Sequence, residues 1–542
     1  MKDAPQGPEA RPLPAPENPA EEQLLRLWTS GQSCLLGDGS LPATHEHSGQ
    51  RRIGARFLSD MLTLAGASND LTLEGAVITG QLEFSGKESR RWLRFTNCRF
   101  THAPLLSRSK LVGAEFTGCH LPGLHGYQVH VADAFLLIDC QVDGFCNLEH
   151  ARFGSGVSLQ GTAFTASRSE HLPSSRTDNG HAGFALSMQG ATIEESLRAV
   201  DMSAKGACSL AGMTIRGQLE LHGAKFDSAS GPFALTLQQT RVGQDLFWLQ
   251  IQVAGGEVSF SRAETDVLID DPQSWKACTG GLDLDGFRYT HIRAENIGEI
   301  RNRISWLASA TCGKLTFSSQ PWRQFAQVLR ENGDDSAARK VLMAREAQYI
   351  SHEQTQMRAR YEAARTCDWQ QGPAFLKQCL RADGLWLEYQ VHRLWSCLKR
   401  LVIGYGYDPK RPLYCSVALI ALGAMLAHLG WQAGVFAPAS DQILTSPDWL
   451  TAMAADPVSP TQPWLSSASA QHYEAFSPFL FALDTYLPVM DLGQERSWAV
   501  TTVTTTGSIG RALWVVLQAA GWIVTSLGIA AVAGLVQKGR ND

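Results

Sequence analysis

Large apolar residues return at alternating steps of five and six between residues 71 and 265, and this rhythm restricts the fold more than any other feature of the chain. The anchors fall at Leu73, Ile78 and Phe84, then at Phe95 and Phe100, then at Leu111 and Phe116. They come back at Val142, Leu148, Phe153, Leu159 and Phe164, and again at Leu210, Ile215, Leu221, Phe226, Leu237, Val242 and Trp248. A helix turns once in about 3.6 residues and cannot hold such anchors on one face, whereas short strands joined by tight turns can. Phrases such as LTLEGAVITGQLEFSG from Leu71 and CSLAGMTIRGQLELHGAKF from Cys208 repeat the pattern, so the unit is eleven residues and the coil about 22. Gly75, Gly86, Gly161, Gly190, Gly212 and Gly223 stand where the turns are needed, and glycine enters backbone conformations that a Cβ disfavours. The predicted fold is a β-solenoid (parallel β-helix) over residues 21–319 with an N-terminal helical cap. A β-sandwich is the competing architecture, and strict repetition favours the solenoid.

Two polar stretches interrupt the rhythm, residues 165–183 and 266–281, and both are expected to bulge out as loops. Insertions into repeats lie on a binding face or are tolerated surface loops.

From Gln320 the spacing becomes helical. Phe325, Val328 and Leu329 share a face, Gly333 ends that helix, and Asp335 or Ser336 caps the next, which carries Ala338, Val341, Leu342 and Ala344. A further helix over about Pro373–Leu401 completes a helical collar spanning residues 320–411. Its Arg and Lys residues either meet anionic lipid headgroups or form a solvated face.

Two uncharged apolar runs follow, 412–432 and 512–536, each long enough for a hydrocarbon core of about 30 Å at 1.5 Å per residue. They are predicted to be transmembrane helices, with buried core helices as the alternative. A mean hydropathy of -0.12 conceals them because the rest of the chain is polar. Arg393, Lys399, Arg400, Lys410 and Arg411 precede the first run, and Lys538 and Arg540 follow the second, while the connection holds only Arg496 and the edge residue Arg511. The positive-inside bias places both termini, including the short tail at 537–542, in the cytoplasm. Tyr405, Tyr407, Tyr414, Trp431, Trp498 and Trp514 fit interfacial anchors. Residues 1–20 are proline-rich, with neither an apolar core nor a signal peptide, and read as a disordered tail. All 12 cysteines lie outside the connection and none forms a C-x-x-C, which favours reduced thiols over disulfides or zinc.

Within the connection, 433–511, residues 437–475 read as irregular, and an amphipathic helix is expected over 476–490. It is too short to span, so it lies on the outer leaflet or re-enters it. Asp484, with Asp491 and Glu495 just beyond, forms a candidate ion pathway, the alternative being acids that face water or cap helices. Ser526, Ala530 and Gly534, spaced by four, offer a face for helix self-association.

Enzyme signatures are absent. No G-x-G-x-x-G follows a strand, CGKLTF at Cys312 lacks the first glycine of a phosphate loop, and neither G-x-S-x-G nor H-E-x-x-H occurs. His45 and His47 flank Glu46 in a polar loop, a weak metal pattern. With a formal net charge of -5 the chain also lacks the basic footprint of a nucleic-acid binder. No catalytic residue, metal ligand, cofactor or nucleic-acid partner is therefore expected.

Three stretches, LDLDGFRY, QPWRQFAQVLRENGDDSAARKVLMAREAQ, and GYGYDPKRPL with FLFALDTYLPVMDLGQERSW, resemble a bacterial family of solenoid proteins with two C-terminal spans. Its members are often labelled membrane-associated oxidoreductases or pentapeptide-repeat-like membrane proteins. The resemblance covers roughly residues 60–540 and implies a bacterial inner-membrane location. Uniform pentapeptide repeats keep a five-residue step, from which the five-six alternation departs. The expected function is a non-enzymatic, membrane-held solenoid that binds or scaffolds a protein partner. An oligomeric channel or membrane-permeabilising effector gated by the solenoid is the alternative, and an oxidoreductase would need a cofactor for which no motif is present.

Overall fold

Four short walls close each turn of the first half of the chain. The computed structural model describes residues 14–44, 49–63, 69–166, 183–228, 233–293, 300–310, 317–365, 373–408, 410–487 and 491–541. The expected loop at 165–183 lies almost wholly outside these residues, as do His45, Glu46 and His47 and most of the N-terminal tail. The chain divides into two compact units, Met1–Val341 and Leu342–Asp542.

The first unit is a β-solenoid of about 10 turns. Its strands form three parallel sheets of 16, 9 and 7 strands. The largest supplies two walls, because the long strand Arg241–Trp248 pairs with Thr214–Ile215 near its start and with Leu219–Glu220 near its end. Register confirms the coil length read from the anchors: Leu73 aligns with Phe95, Phe95 with Phe116, and Phe116 with Leu137. Alternation along each strand sends these residues inward, where all four are buried. Phe95 and Phe116 stack with centroids 5.3 Å apart, and Phe135 and Phe153 carry the aromatic column onward.

Two corners of the coil use left-handed backbone. One column runs Gly75, Asn97, Gly118, Asp139, Gly161, Asp201, Gly223 and Gln250, and all eight have positive φ. The glycines in it do more than permit the turn. A Cβ on Gly161 would stand 2.0 Å from Asp139 Oδ1, and one on Gly223 would stand 2.1 Å from Asp201 Oδ1. The carboxylate of one coil thus occupies the space left by the glycine of the next. Gly212 has nearly the same φ as Gly161, 65° against 66°, but a Cβ there would meet nothing closer than 3.9 Å. Gly161→Ala is therefore expected to lose clearly more stability than Gly212→Ala, whose cost is backbone strain alone, about 1 kcal/mol. Equal shifts in thermal unfolding of the two variants would refute this account of the corners.

Helices close both ends of the solenoid. At the start, α1 (Pro19–Thr29) is capped by Asn18, which accepts from the N–H of Glu21, and it buries Leu24 and Trp28 against the first coil. The buried Glu21 carboxylate accepts in turn from the N–H of Gly54, just before α2 (Ala55–Leu62). At the far end, residues 266–281 do not bulge out as a polar loop. Glu264–Asp270 is a strand paired with Arg241–Trp248 on one side and Arg288–Ile292 on the other. It is followed by α3 (Pro272–Lys276), capped by Asp271. Of the acids that made the segment look solvated, Asp266 is exposed, Asp271 caps α3 and Asp270 is paired inside, and Leu268, Ile269 and Trp275 are buried. Two further helices, α4 (Ile300–Ser309) and α5 (Gln320–Glu331), continue the aromatic column from Trp248 through Trp275 and Trp306 to Phe325.

Gly333 ends α5 as expected, with φ 81°. The cap of α6 (Asp335–Arg365) is Asp334, whose carboxylate accepts from the N–H of Ala337, in place of Asp335 or Ser336.

In the second unit, α6 runs antiparallel to α7 (Pro373–Ile403). Gln354 donates to Ser396 at 3.0 Å, Glu353 lies 3.4 Å from His392, and Arg345 donates to the Tyr407 hydroxyl at 3.1 Å. After a turn at Gly404–Gly406 come α8 (Lys410–Gln432) and, beyond the connection, α11 (Thr505–Asn541). Both are long and apolar enough to cross a membrane, and only 11% and 22% of their most apolar windows are buried. A soluble core helix would be covered.

The connection is more ordered than its Ser, Pro and Ala content implied. Ser446 caps α9 (Pro447–Ala455), with Pro447 in the first turn. An antiparallel ribbon joins Phe436–Pro438 to Trp498–Val500. Trp449, Trp464, Trp498 and Phe436 are buried around it, and these large rings supply the core that the small residues between them could not.

Candidate functional site

Two places combine a cleft or buried polar groups with geometry the fold alone does not need. The first is a cleft of about 680 Å³ in the first unit, between the solenoid wall and α5. The wall aligns Arg241, Glu264 and Arg288 in register, so charges alternate along it. Arg241 and Arg288 lie 3.5 and 3.9 Å from the Glu264 carboxylate, and Arg216 lies 2.8 Å from Glu194. The arginine side chains are 69–73% exposed, and exposed ion pairs contribute only about 0–1 kcal/mol. Stability therefore does not explain this row, which remains free to exchange partners. Opposite it, Gln324 donates to the Tyr289 carbonyl at 2.7 Å and fixes α5 to the wall. A Cβ on Gly243 would stand 2.4 Å from the Arg216 carbonyl, so the floor of the cleft requires glycine. Sequence reasoning missed this surface because outward positions carry no periodic signal. Only the register shows that Arg241, Glu264 and Arg288 are neighbours.

The same end of the solenoid holds a buried ion pair. Asp270 and Arg303 are 0% and 2% exposed, and two guanidinium nitrogens donate to the two carboxylate oxygens, one of them at 2.5 Å and the other at 2.7 Å. Trp275 Nε1 also donates to Asp270, and the Arg303 guanidinium lies over the Trp306 ring. Burial pushes the nearby Tyr289 phenol well above its usual range, and pushes the Cys278 thiol up to about 12. Neither is ionised near neutrality, so neither is an activated nucleophile. Burial also opposes ionisation of Asp271, but hydrogen bonds from Ser274, Gln250 and Gln273 outweigh it and hold its carboxyl below the usual value.

The second place is a hairpin in the second unit that contains the three predicted acids. Helix α10 (Pro478–Tyr486), capped by Ser477, lies lengthwise against α8. Phe476 stacks on Trp431 at one end, Ala482 faces Gly423 midway, and the Tyr486 hydroxyl donates to Ser416 at 2.6 Å at the other. The helix therefore runs from the C-terminal end of α8 back to its second turn. Across it, Trp514 of α11 donates to Thr485 at 3.0 Å, and a Cβ on Gly521 would stand 2.9 Å from the Tyr486 carbonyl. Gly423, Ala427, Ala482 and Gly521 thus make the close contacts among the three helices. The sequence reading passed over these small residues.

Asp484 is 5% exposed and accepts from the N–H groups of Leu492 at 2.7 Å and Glu495 at 2.9 Å. It holds the returning segment, a loop leading into the helical turn Gln494–Ser497, to α10. Asp491 is exposed, accepts from the N–H of Gly493, and pairs with Arg496 at 2.7 Å. Glu495 is exposed. The fold brings the three acids into one hairpin without converging their carboxylates. Residues 488–490, the end of the expected amphipathic helix, lie outside the described residues. On α11, Ser526 and Ala530 are exposed, away from the contacts made by Trp514, Leu517 and Gly521, while the surroundings of Gly534 lie outside the described residues. Asp484→Ala, which leaves two backbone donors without a partner, is expected to cost about 1–3 kcal/mol. Hydrogen exchange at Leu492–Glu495 in the detergent-solubilised chain should rise on the order of tenfold or more, and unchanged exchange would remove Asp484 from this role.

Among the described residues no group of three or more His, Cys, Asp or Glu side chains is placed to hold a metal. No protein-family model matches the chain, no curated protein matches it in sequence, and no solved structure matches it.

Proposed function

We propose that the chain is a non-enzymatic scaffold of the bacterial inner membrane, anchored by α8 and α11, with the solenoid presenting a protein-binding surface to the cytoplasm. The observation that carries this reading is the cleft row Arg241, Glu264 and Arg288, with Arg216 beside it, whose exposed charges add little to stability and line a concave surface. A partner with alternating charges would exchange these internal pairs for intermolecular ones at small cost. Two apolar, largely uncovered helices supply the membrane anchor, and the resemblance to two-span solenoid proteins supports the same arrangement. A photo-crosslinking residue at Arg241, activated in intact cells, is expected to yield discrete protein adducts. Arg216→Glu with Arg288→Glu should reduce them about tenfold. Absence of any discrete adduct from the cleft would overturn the scaffold reading.

A second reading rests on α10. A short helix lying along a spanning helix, followed by a returning segment, is a re-entrant hairpin, and such backbone at membrane depth occurs where it is buried in protein or lines an aqueous path. Self-association through Ser526, Ala530 and Gly534 would assemble several hairpins around an axis. Conductance in reconstituted bilayers that changes with Asp491→Asn or Glu495→Gln supports this channel. Oligomer-free, non-conducting preparations count against it.

A further inference from the structure

Among the described residues, helix α7 leaves one side of its length uncovered. Its half-buried and buried positions Leu385, Tyr389, His392 and Ser396 form the face turned to α6. On the opposite side Leu387, Val391, Leu394 and Leu401 are exposed, Leu394 by 74%. At 100° per residue these four lie within about 40° of Leu387 around the helix. Trp386 and Trp395, both exposed, stand at the two edges of this stripe. Beyond them come the basic residues, Arg393 and Arg400 on one flank and Lys399 on the other, with the Lys399 ammonium over the Trp395 ring at 5.4 Å. The acids nearby are Glu388, beside the stripe, and Asp383, one turn before it begins.

A large unpartnered apolar stripe flanked first by tryptophan and then by cations has the layered chemistry of a lipid interface: acyl chains, then the ester and glycerol level, then phosphate. Two further observations select that occupant over a second protein. The stripe ends at Leu401, a few residues before α8, whose exposed Leu413, Tyr414 and Val417 continue the apolar surface. Lys410 adds a cation at the junction itself, where Arg411 is paired with Asp408 at 3.1 Å. We infer that α7 lies in the headgroup layer of the membrane that α8 crosses, with Leu387, Val391, Leu394 and Leu401 among acyl chains and Arg393, Lys399 and Arg400 on anionic lipid phosphates. This rests on the reading of α8 as a spanning helix and adds a lipid-class preference to it.

The test uses the full chain in nanodiscs of phosphatidylcholine mixed with phosphatidylglycerol, with a benzophenone amino acid at Leu394 or, separately, at Val417. After irradiation, lipid adducts are identified by mass. Lipid adducts are expected at both positions, and those at Leu394 should be enriched in phosphatidylglycerol over the bulk mixture. Arg393→Gln, Lys399→Gln and Arg400→Gln together should lower that enrichment by about fivefold or more. Lipid adducts at Val417 with only protein adducts, or none, at Leu394 would overturn the interfacial placement while leaving the spanning helix intact. Failure of Val417 to capture lipid would overturn the spanning reading and this inference with it.

Discussion

Arg303→Met is expected to loosen the far end of the solenoid by about 3–5 kcal/mol. The substitution keeps the apolar stem but takes the guanidinium counter-charge from the fully buried Asp270 carboxylate, to which Trp275 Nε1 still donates. A buried charge without its counter-charge is far more costly than the intact pair is stabilising. The same principle predicts that Asp270→Leu with Arg303→Met recovers most of the loss, because neither charge then remains. Hydrogen exchange at Arg288–Ile292 and Ile300–Ser309 reports this end of the fold directly. Exchange there should accelerate on the order of a hundredfold or more in the single variant and return toward the parent rate in the double. Equal damage in both would mean that the pair contributes through shape and not through charge.

Phe116→Ala should have an effect of similar size at the other end of the core, about 3–5 kcal/mol. Its ring lies between Phe95 and Phe135 and touches Phe100, so truncation opens a cavity spanning three coils. Because each coil contacts only its neighbours, the loss should stay local. Amides in Trp92–Thr96, Gly113–Thr117 and Phe135–Ile138 should exchange faster, whereas those of Leu282–Asp283 should keep their protection. Uniform acceleration along the solenoid would show that it unfolds as one cooperative body.

The contrast between these two predictions reflects what the amino-acid order made legible. Phe95, Phe100 and Phe116 announced themselves by spacing, because a coil that stacks on itself must return an apolar residue to the same inward position. The pair Asp270–Arg303 did not, since its members lie 33 positions apart on a strand and a helix. Asp266, Asp270 and Asp271 made their segment look like solvent-facing loop, when one of the three is an interior charge. The left-handed corners were half legible. Glycine there is an obvious turn signal, but Asn97, Asp139 and Asp201 occupy the same conformation in alternate coils, and only the stacking explains why glycine must follow them.

In the second unit, length and apolarity alone located α8 and α11, whereas the connection between them was obscured by composition. Trp449 and Trp464 stand on two short helices that pack together, and Trp464 meets Trp498, which the ribbon Phe436–Pro438 with Trp498–Val500 brings beside it. Asp484 drew attention as a carboxylate near an apolar helix, but its partners are backbone amides, which no side-chain pattern can reveal.

The proposed anchoring puts a membrane between the solenoid and the connection. Cysteines introduced one at a time at Ser261, on the solenoid, and at Ser466, in the connection, can be treated with a membrane-impermeant maleimide in intact spheroplasts of the expressing bacterium, and labelling read at the introduced site by peptide mass, apart from the 12 native cysteines. Labelling at Ser466 before lysis and at Ser261 only after it is the predicted result. Labelling of both positions on the same side of the membrane would contradict it.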